Sequence, residues 1–442
     1  MTAFVDDATV HAARGRAALL PLTPAEAQRW RQVAAYVEAR KPDPTPERAA
    51  ALRDLLGMPD ATDTEALDAA GRLLADAVSA AEPPPGAERV REACLRWFEE
   101  DVTEGAPLLE LFTGHHRDPE GGPPPTDPDL VRRLGEWLSP RAGGGAVLED
   151  ATIISGGFSR LMLDVRWTGG QTHSRGVCRI EQDGMFATEG RREAAVMRIV
   201  GEQGYPVPAI LWEEPDRAFV GHPFFVMEHV AGQARTDEQG LDDMLRAVSA
   251  LHHLGPVAVA RVAALDGVPD TSRPEAAIDA QLRHWNGVYR SAVAHPIPLL
   301  ERSFAWLGAN LRPTGPSVIV HGDPGPGNAL QNEKGVAAVI DWEFAHAGDA
   351  AEDWAYLALI RGRKLGSPQQ WKDRLAATVG VEYDQPTWDA WEAFNSVKGA
   401  CVNLTALDVF RRTGRPTPDL LAIGVAVHLR FLKRAVELTA FG

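Results

Sequence analysis

The sequence predicts an α+β fold, and three observations carry that expectation. The first 116 residues show helix-like spacing of apolar positions and no strand alternation. From about residue 147 the texture changes to short apolar and β-branched runs separated by glycine. From about residue 240 it returns to helix, broken only by short strands around one Asp- and Gly-rich motif. The Pro- and Gly-rich stretch RDPEGGPPPTDP, residues 117–128, has no periodicity and reads as a linker. The expected order is an all-helical N-terminal module (1–116), the linker (117–128), a β-rich lobe with one helix (129–231) and a larger helical lobe (232–442).

Each element has its own signal. TPAEAQRWRQVAAYVEAR opens on a Thr-Pro start and spaces Trp30, Val33, Ala34 and Val37 as a helix does. TPERAAALRDLLG repeats the start and stops at Gly57. Two further helical stretches follow, divided by PPPG at 83–86, and His115 and His116 read as a solvated pair beside the linker. DLVRRLGEWL is a helix, and GGG at 143–145 breaks the chain after it. LEDATIISGGFSRLMLDVRWTGG reads as two strands around a Gly-rich turn, RGVCRIEQ as a third strand and PFFVMEHV as another. Between the last two lies EGRREAAVMRIVGEQG, an amphipathic helix with Val196, Met197 and Val200 on one face.

Composition narrows the partners. A chain of 442 residues calls for two or three cores, and 45% hydrophobic with 24% charged residues is ordinary for a soluble globular protein. A formal net charge of −16 argues against nucleic acid and against an anionic membrane surface. Cys94, Cys178 and Cys401 are far apart and read as reduced thiols. No apolar run is long enough to span a bilayer, and MTAFVDDATV lacks the basic start of a signal peptide, so the expected location is the cytoplasm. No lysine occurs between Lys41 and Lys334, so any cation needed in that span must be arginine.

The chemistry concentrates in VIVHGDPGPGNAL, residues 318–330, and the NEKGVAAVIDWE that closes on it. A turn centred on Glu333 and Lys334 sets Asn328 opposite Val339, with Asp341 on the face of Val339. A carboxylate and an amide oxygen converging there suit Mg²⁺, which keeps waters and takes substrate phosphates. Asp323, in the loop just before the hairpin, is then a candidate to orient an attacking hydroxyl. These are the parts that phosphoryl transfer requires.

His321, Gly322, Asp323 and Asn328, followed by IDWE and GDAAEDWAYLAL, resemble the aminoglycoside phosphotransferase and choline kinase superfamily. The Asp-x-x-x-x-Asn spacing is also that of the protein-kinase catalytic loop, with Gly322 at the position of its Arg. The resemblance runs from about residue 127 to the C-terminus. It is closest to the bacterial phosphotransferase family proteins and to the kinase-like domains fused to certain acyl-CoA dehydrogenases. It implies small-molecule kinase chemistry and a two-lobed protein-kinase-like fold, here with the additional helical module.

The resemblance also implies roles. Asp323 is the expected base, and Asn328 and Asp341 the expected Mg²⁺ ligands. Ser155, Gly156, Gly157, Phe158 and Ser159 form the expected loop over the ATP phosphates. Met227, Glu228 and His229 form the expected hinge whose backbone meets adenine. The lysine usual on the third strand is replaced by Arg179, which is always charged and offers two donors to phosphate. Its expected acidic partner is Glu193 on the following helix, where an acid on an apolar face needs pairing. Asp349 and Asp353 are expected to cap the next helix and tie the loop down, with Glu343 outside the metal shell and His252 and His253 at a helix end. The expected partner is a small hydroxylated acceptor. The cations Arg283, Arg290, Arg361, Arg363 and Lys364 hint that it is anionic or acyl-type. The alternative function is a catalytically silent kinase-like nucleotide-binding or scaffold protein. A homo-oligomer is compatible with either, and for the helical module three roles stay open: packing on the β-rich lobe, shaping the acceptor cleft or mediating dimerisation.

Overall fold

The structure is a computed structural model that describes residues 50, 53, 54, 56–62, 126–143, 145–154, 160–169, 174–181, 190–268, 270, 273–293, 297–412, 420 and 423–439. Most of the helical module, most of the linker and the loop Ser155–Ser159 therefore lie outside the described residues. The chain divides into two compact units, residues 119–281 with 312–392, and residues 1–118 with 282–311 and 393–442. The first combines a five-stranded sheet with helices and is α+β.

Helix α1 (Pro128–Leu138) starts where Asp127 accepts a hydrogen bond from the Asp129 N–H and Pro128 fills the first turn. Its apolar stripe, Leu134, Trp137 and Leu138, is fully buried on one face of a five-stranded antiparallel sheet. That sheet is built from β1 (Val147–Ile153), β2 (Arg160–Thr168), β3 (Arg175–Glu181), β4 (Ile210–Glu214) and β5 (Phe224–Glu228), in the order β1-β2-β3-β5-β4. Phe224 and Val226 face α1, while Phe225 and Met227 face the other side. Both faces are covered, which is why FFVM reads as a continuous apolar run. The covering element on the second side is α2 (Gly190–Glu202), through Ala194, Met197 and Val200.

The second core continues through α3 (Glu238–His252), capped by Asp237, and α4 (Pro256–Leu265). Ile319 and Ala347, from the paired strands β6 (Val318–Val320) and β9 (His346–Gly348), complete it with Val339 and Trp342. A hairpin of β7 (Ala329–Asn332) and β8 (Gly335–Val339) lies between them in sequence. Then come α7 (Ala350–Leu359) and α8 (Pro368–Val379), the latter opened by a Ser367–Gln370 capping box.

The second unit is helical in its described part. It takes the C-terminal part of α5 (Pro274–Ala292), α6 (Pro298–Asn310), most of α9 (Gln385–Arg412) and α10 (His428–Thr439). Ser303 Oγ meets Thr439 Oγ1 at 3.0 Å inside it, and burial pushes His428 down to about 4. Among the described residues no single helix is long and apolar enough to cross a membrane.

Two strands escaped the sequence reading. β4 is short and ends in two glutamates, of which Glu214 is buried to accept the Trp137 indole N–H at 2.6 Å. β9 is three residues of His, Ala and Gly, too short for any period to show.

Candidate active site

The loop leaving β6 is held by one carboxylate from α7. Asp353 is completely buried and accepts the N–H groups of His321 and Gly322, both at 2.8 Å, and His252 Nε2 at 2.9 Å. Burial alone pushes Asp353 up. The hydrogen bond from His252, with the His252 and His321 charges and the His321 N–H, outweighs it and leaves the carboxyl below its usual range. Asp349 does the capping at α7: it accepts from Ala351 N and also holds Thr314. So the two acids divide the tasks expected of them. His252 is buried in the network, and only His253 is the exposed helix end.

Gly322 is dictated by this geometry. Its φ is +85°, and a Cβ there would lie 2.6 Å from the Phe344 carbonyl oxygen. An arginine has neither the backbone freedom nor the space at this position. His321 is buried too; its Nε2 faces the Ile340 carbonyl at 3.0 Å and its Nδ1 faces the Asp323 N–H at 3.3 Å.

Asp323 follows, with little of its side chain exposed. Asn328 Nδ2 donates to its carbonyl at 2.8 Å and to Oδ2 at 3.2 Å. Arg361, in a 3₁₀ turn after α7, stands 3.5 Å from the same Oδ2, and Tyr356 on α7 hydrogen-bonds the carboxylate. Gly325 makes room for Arg361, since a Cβ there would sit 2.8 Å from the arginine Cγ. Oδ1 of Asp323 is buried and has no hydrogen-bond partner. Burial, with the Asp341 charge, raises this carboxyl; Arg361, His321 and Tyr356 pull the other way.

The hairpin register differs from the one expected. The turn does fall at Glu333 and Lys334, since Asn332 pairs with Gly335. A bulge then intervenes: Gln331 pairs with Val336 but Leu330 with Ala338, leaving Ala337 as the extra residue. Ala329, not Asn328, is opposite Val339, and the Ile340 N–H donates to the Asn328 carbonyl at 2.9 Å. Simple alternation therefore does not orient Asp341. Its own backbone does, with φ of +68°, the one left-handed non-glycine among the described residues.

Asp341 meets Arg179 from β3. Nη2 of Arg179 lies 3.3 Å from Asp341 Oδ1 and 3.3 Å from Glu343 Oε2, while Nε lies 2.8 Å from Glu193 Oε2. Burial alone would lower Arg179, but the three carboxylates outweigh it and raise it further. Burial raises Glu193 against the pull of Arg179, and it pushes Glu343 up to about 7 with help from the Asp341 charge.

The sequence-predicted residues thus form two connected groups, Asp323 with Asn328 and Arg179 with Glu193 and Asp341. At the expected hinge, Met227 is buried and the Glu228 N–H is already donated to the Ala209 carbonyl. Of the other cations, Arg363 is paired with Glu392 and Arg290 with Glu301; only Arg361 stands at Asp323. Tyr356 went unread, although it lies three residues after Asp353 on one helix and so shares its face. Arg160 also went unread; its charge acts on Glu193 and Glu343.

A bilobal scaffold with an Asp-to-Asn loop against a carboxylate-bearing hairpin defines a kinase-like phosphotransferase. The chain belongs to the phosphotransferase enzyme family, whose family model matches residues 150–394. It is 31% identical over 176 residues to acyl-CoA dehydrogenase family member 10 of Mus musculus, covering 38% of this chain and 16% of that protein. It is 29% identical over 172 residues to acyl-CoA dehydrogenase family member 11 of Gallus gallus, covering 37% and 22%. The chain therefore matches under a quarter of the length of these curated relatives. A solved Ralstonia eutropha protein described as an aminoglycoside phosphotransferase shares the fold, with a TM-score of 0.50 at 20% identity over 70% of this chain and 98% of that one.

Proposed function

We propose that this protein moves the γ-phosphate of ATP to the hydroxyl of a small acceptor, with Asp323 as the base and Mg²⁺ held by Asn328 and Asp341. The observation that carries the reading is the state of Asp323. One carboxylate oxygen is held by Asn328 and Arg361, Tyr356 hydrogen-bonds the carboxylate, and the other oxygen is buried. That second oxygen is where an acceptor hydroxyl would place its proton.

The donor set suits Mg²⁺. Asn328 spends its N–H₂ on Asp323, which turns its amide oxygen away from those acceptors. Asp341 keeps a third of its side chain open. Among the described residues no group of three or more His, Cys, Asp or Glu is arranged as a metal cage. Two oxygen ligands suffice for an ion that completes its shell with water and substrate phosphate. Bound Mg²⁺ would neutralise charge on the β- and γ-phosphates. The protein's own part is positional. Asp353 fixes the loop, Asn328 fixes the Asp323 rotamer, and Glu193 anchors Arg179 beside the phosphates. Residues 155–159 are assigned to cover those phosphates and 227–229 to meet adenine. The site of action is the cytoplasm.

One observation favours the alternative of a silent nucleotide-binding protein: Arg179 stands in place of lysine and is engaged by Asp341. ADP release with Mg·ATP and a panel of hydroxylated small molecules separates the two. The expected result is acceptor-dependent turnover that drops roughly 100- to 10,000-fold in Asp323→Asn. ATP binding with no acceptor-stimulated turnover, identical in wild type and Asp323→Asn, supports the silent protein instead.

A further inference from the structure

We infer that Arg160 is a second cation for the phosphates of the nucleotide, acting beside Arg179; this rests on the phosphotransferase reading above. Arg160 is the first residue of β2 and pairs across the sheet with Glu181, two positions from the Met162–Arg179 pair. Cross-strand partners share a face, and so do residues two apart on one strand. Arg160 therefore stands on the same face as Arg179. That is the face from which Arg179 reaches Glu193, Asp341 and Glu343.

Two further observations place its charge in the site. Arg160 is only 4% exposed, and its charge acts on Glu193 and Glu343, two of the three acids that hold Arg179. A guanidinium is buried at such cost only where it meets opposite charge. Charge balance then gives it a task. Arg179 is fixed at Nε by Glu193, and its Nη2 is shared between Asp341 and Glu343. One tethered arginine is a small counterweight for a triphosphate. The chain has no lysine from residue 42 to 333, so a further cation on this face must be arginine. Arg160 meets that need from the first position of β2.

The test is calorimetric titration of the full chain, in Mg²⁺, with ATP, ADP and adenosine. Arg160→Gln is expected to weaken ATP and ADP roughly 10- to 100-fold, as loss of a charge-assisted contact does, and to leave adenosine within about twofold. Arg160→Lys is expected to recover part of the loss, because it restores the charge without the fork. A purely structural role predicts something else: equal weakening of adenosine, or no change in ATP. Either result overturns the assignment. Should Arg160→Gln not fold, Arg160→Gln with Glu343→Gln removes one charge of each sign, and the same selective loss of ATP is expected. If the wild type binds ATP and both variants bind it equally well, only the Arg160 assignment falls. If the wild type binds no Mg·ATP, the phosphotransferase reading falls with it.

Discussion

Removing the Asp353 carboxylate tests whether one buried acid holds the candidate catalytic loop. Asp353→Ala strips the partner from three buried donors: the His321 and Gly322 N–H groups at 2.8 Å and His252 Nε2 at 2.9 Å. A buried donor left unsatisfied costs about 1–3 kcal/mol, and partial relaxation brings the sum to about 3–5 kcal/mol. Asp353→Asn is expected to lose somewhat less, since one oxygen remains while its N–H₂ faces a donor. Urea unfolding followed by tryptophan fluorescence measures both, and Trp354, whose ring is 4.9 Å from that of His252, sits at the perturbed spot. The pH dependence has a definite sign. The folded Asp353 lies below its usual range, so its contribution is complete above the unfolded value of about 3.9 and is lost as pH falls through the lower folded value. The wild type is therefore expected to lose stability more steeply than Asp353→Asn below about pH 4. Turnover is expected to fall in Asp353→Asn, because the loop that Asp353 holds carries Asp323 and Asn328. A stability change under about 1 kcal/mol in Asp353→Ala, with turnover intact, would refute the reasoning.

Three other outcomes follow from the same geometry. Gly322→Ala forces a Cβ into the left-handed region and to 2.6 Å from the Phe344 carbonyl, so a loss above about 2 kcal/mol is expected in urea unfolding, with loss of turnover. Glu343 is raised to about 7, so the folded state holds its proton more tightly; stability is expected to fall as pH rises from about 4.3 through 7, by at most about 4 kcal/mol. Thermal melts of Glu343→Gln are expected to flatten that slope, and an unchanged slope counts against the assignment. Arg179→Lys keeps the charge but cannot reach Glu193 and Asp341 together, so ATP affinity is expected to drop roughly tenfold by calorimetry, whereas unchanged affinity would show the fork to be dispensable.

The parts legible in the sequence were those with a period or a punctuated turn. The α2 stripe of Val196, Met197 and Val200 and the turn at Glu333 and Lys334 both depend on neighbours within a few residues. What stayed hidden depends on non-local closure. The bulge at Ala337 leaves no local signature, since VAAV alternates equally well in either register. Asp341 adopts φ of +68° although no glycine announces a turn. His252 reads as a helix end until α7 brings Asp353 against it, 101 residues later in the chain.

The arginine at position 179 shows how a substitution that looks like a departure gains sense from geometry. A lysine offers one nitrogen, which can serve the helix acid or the phosphate side but bridges them poorly. Arg179 spends Nε on Glu193 at 2.8 Å and still presents Nη2 to Asp341 and Glu343 at 3.3 Å. The fork thereby ties α2 on one side to the end of the hairpin on the other, and three acids keep it charged although it is buried. The same fork accounts for a Glu343 that burial and Asp341 push towards neutrality: one guanidinium cannot fully balance three carboxylates. Arg160 stands on the same sheet face, two residues before Met162, the cross-strand partner of Arg179, and the absence of lysine from residue 42 to 333 makes arginine the cation at both positions.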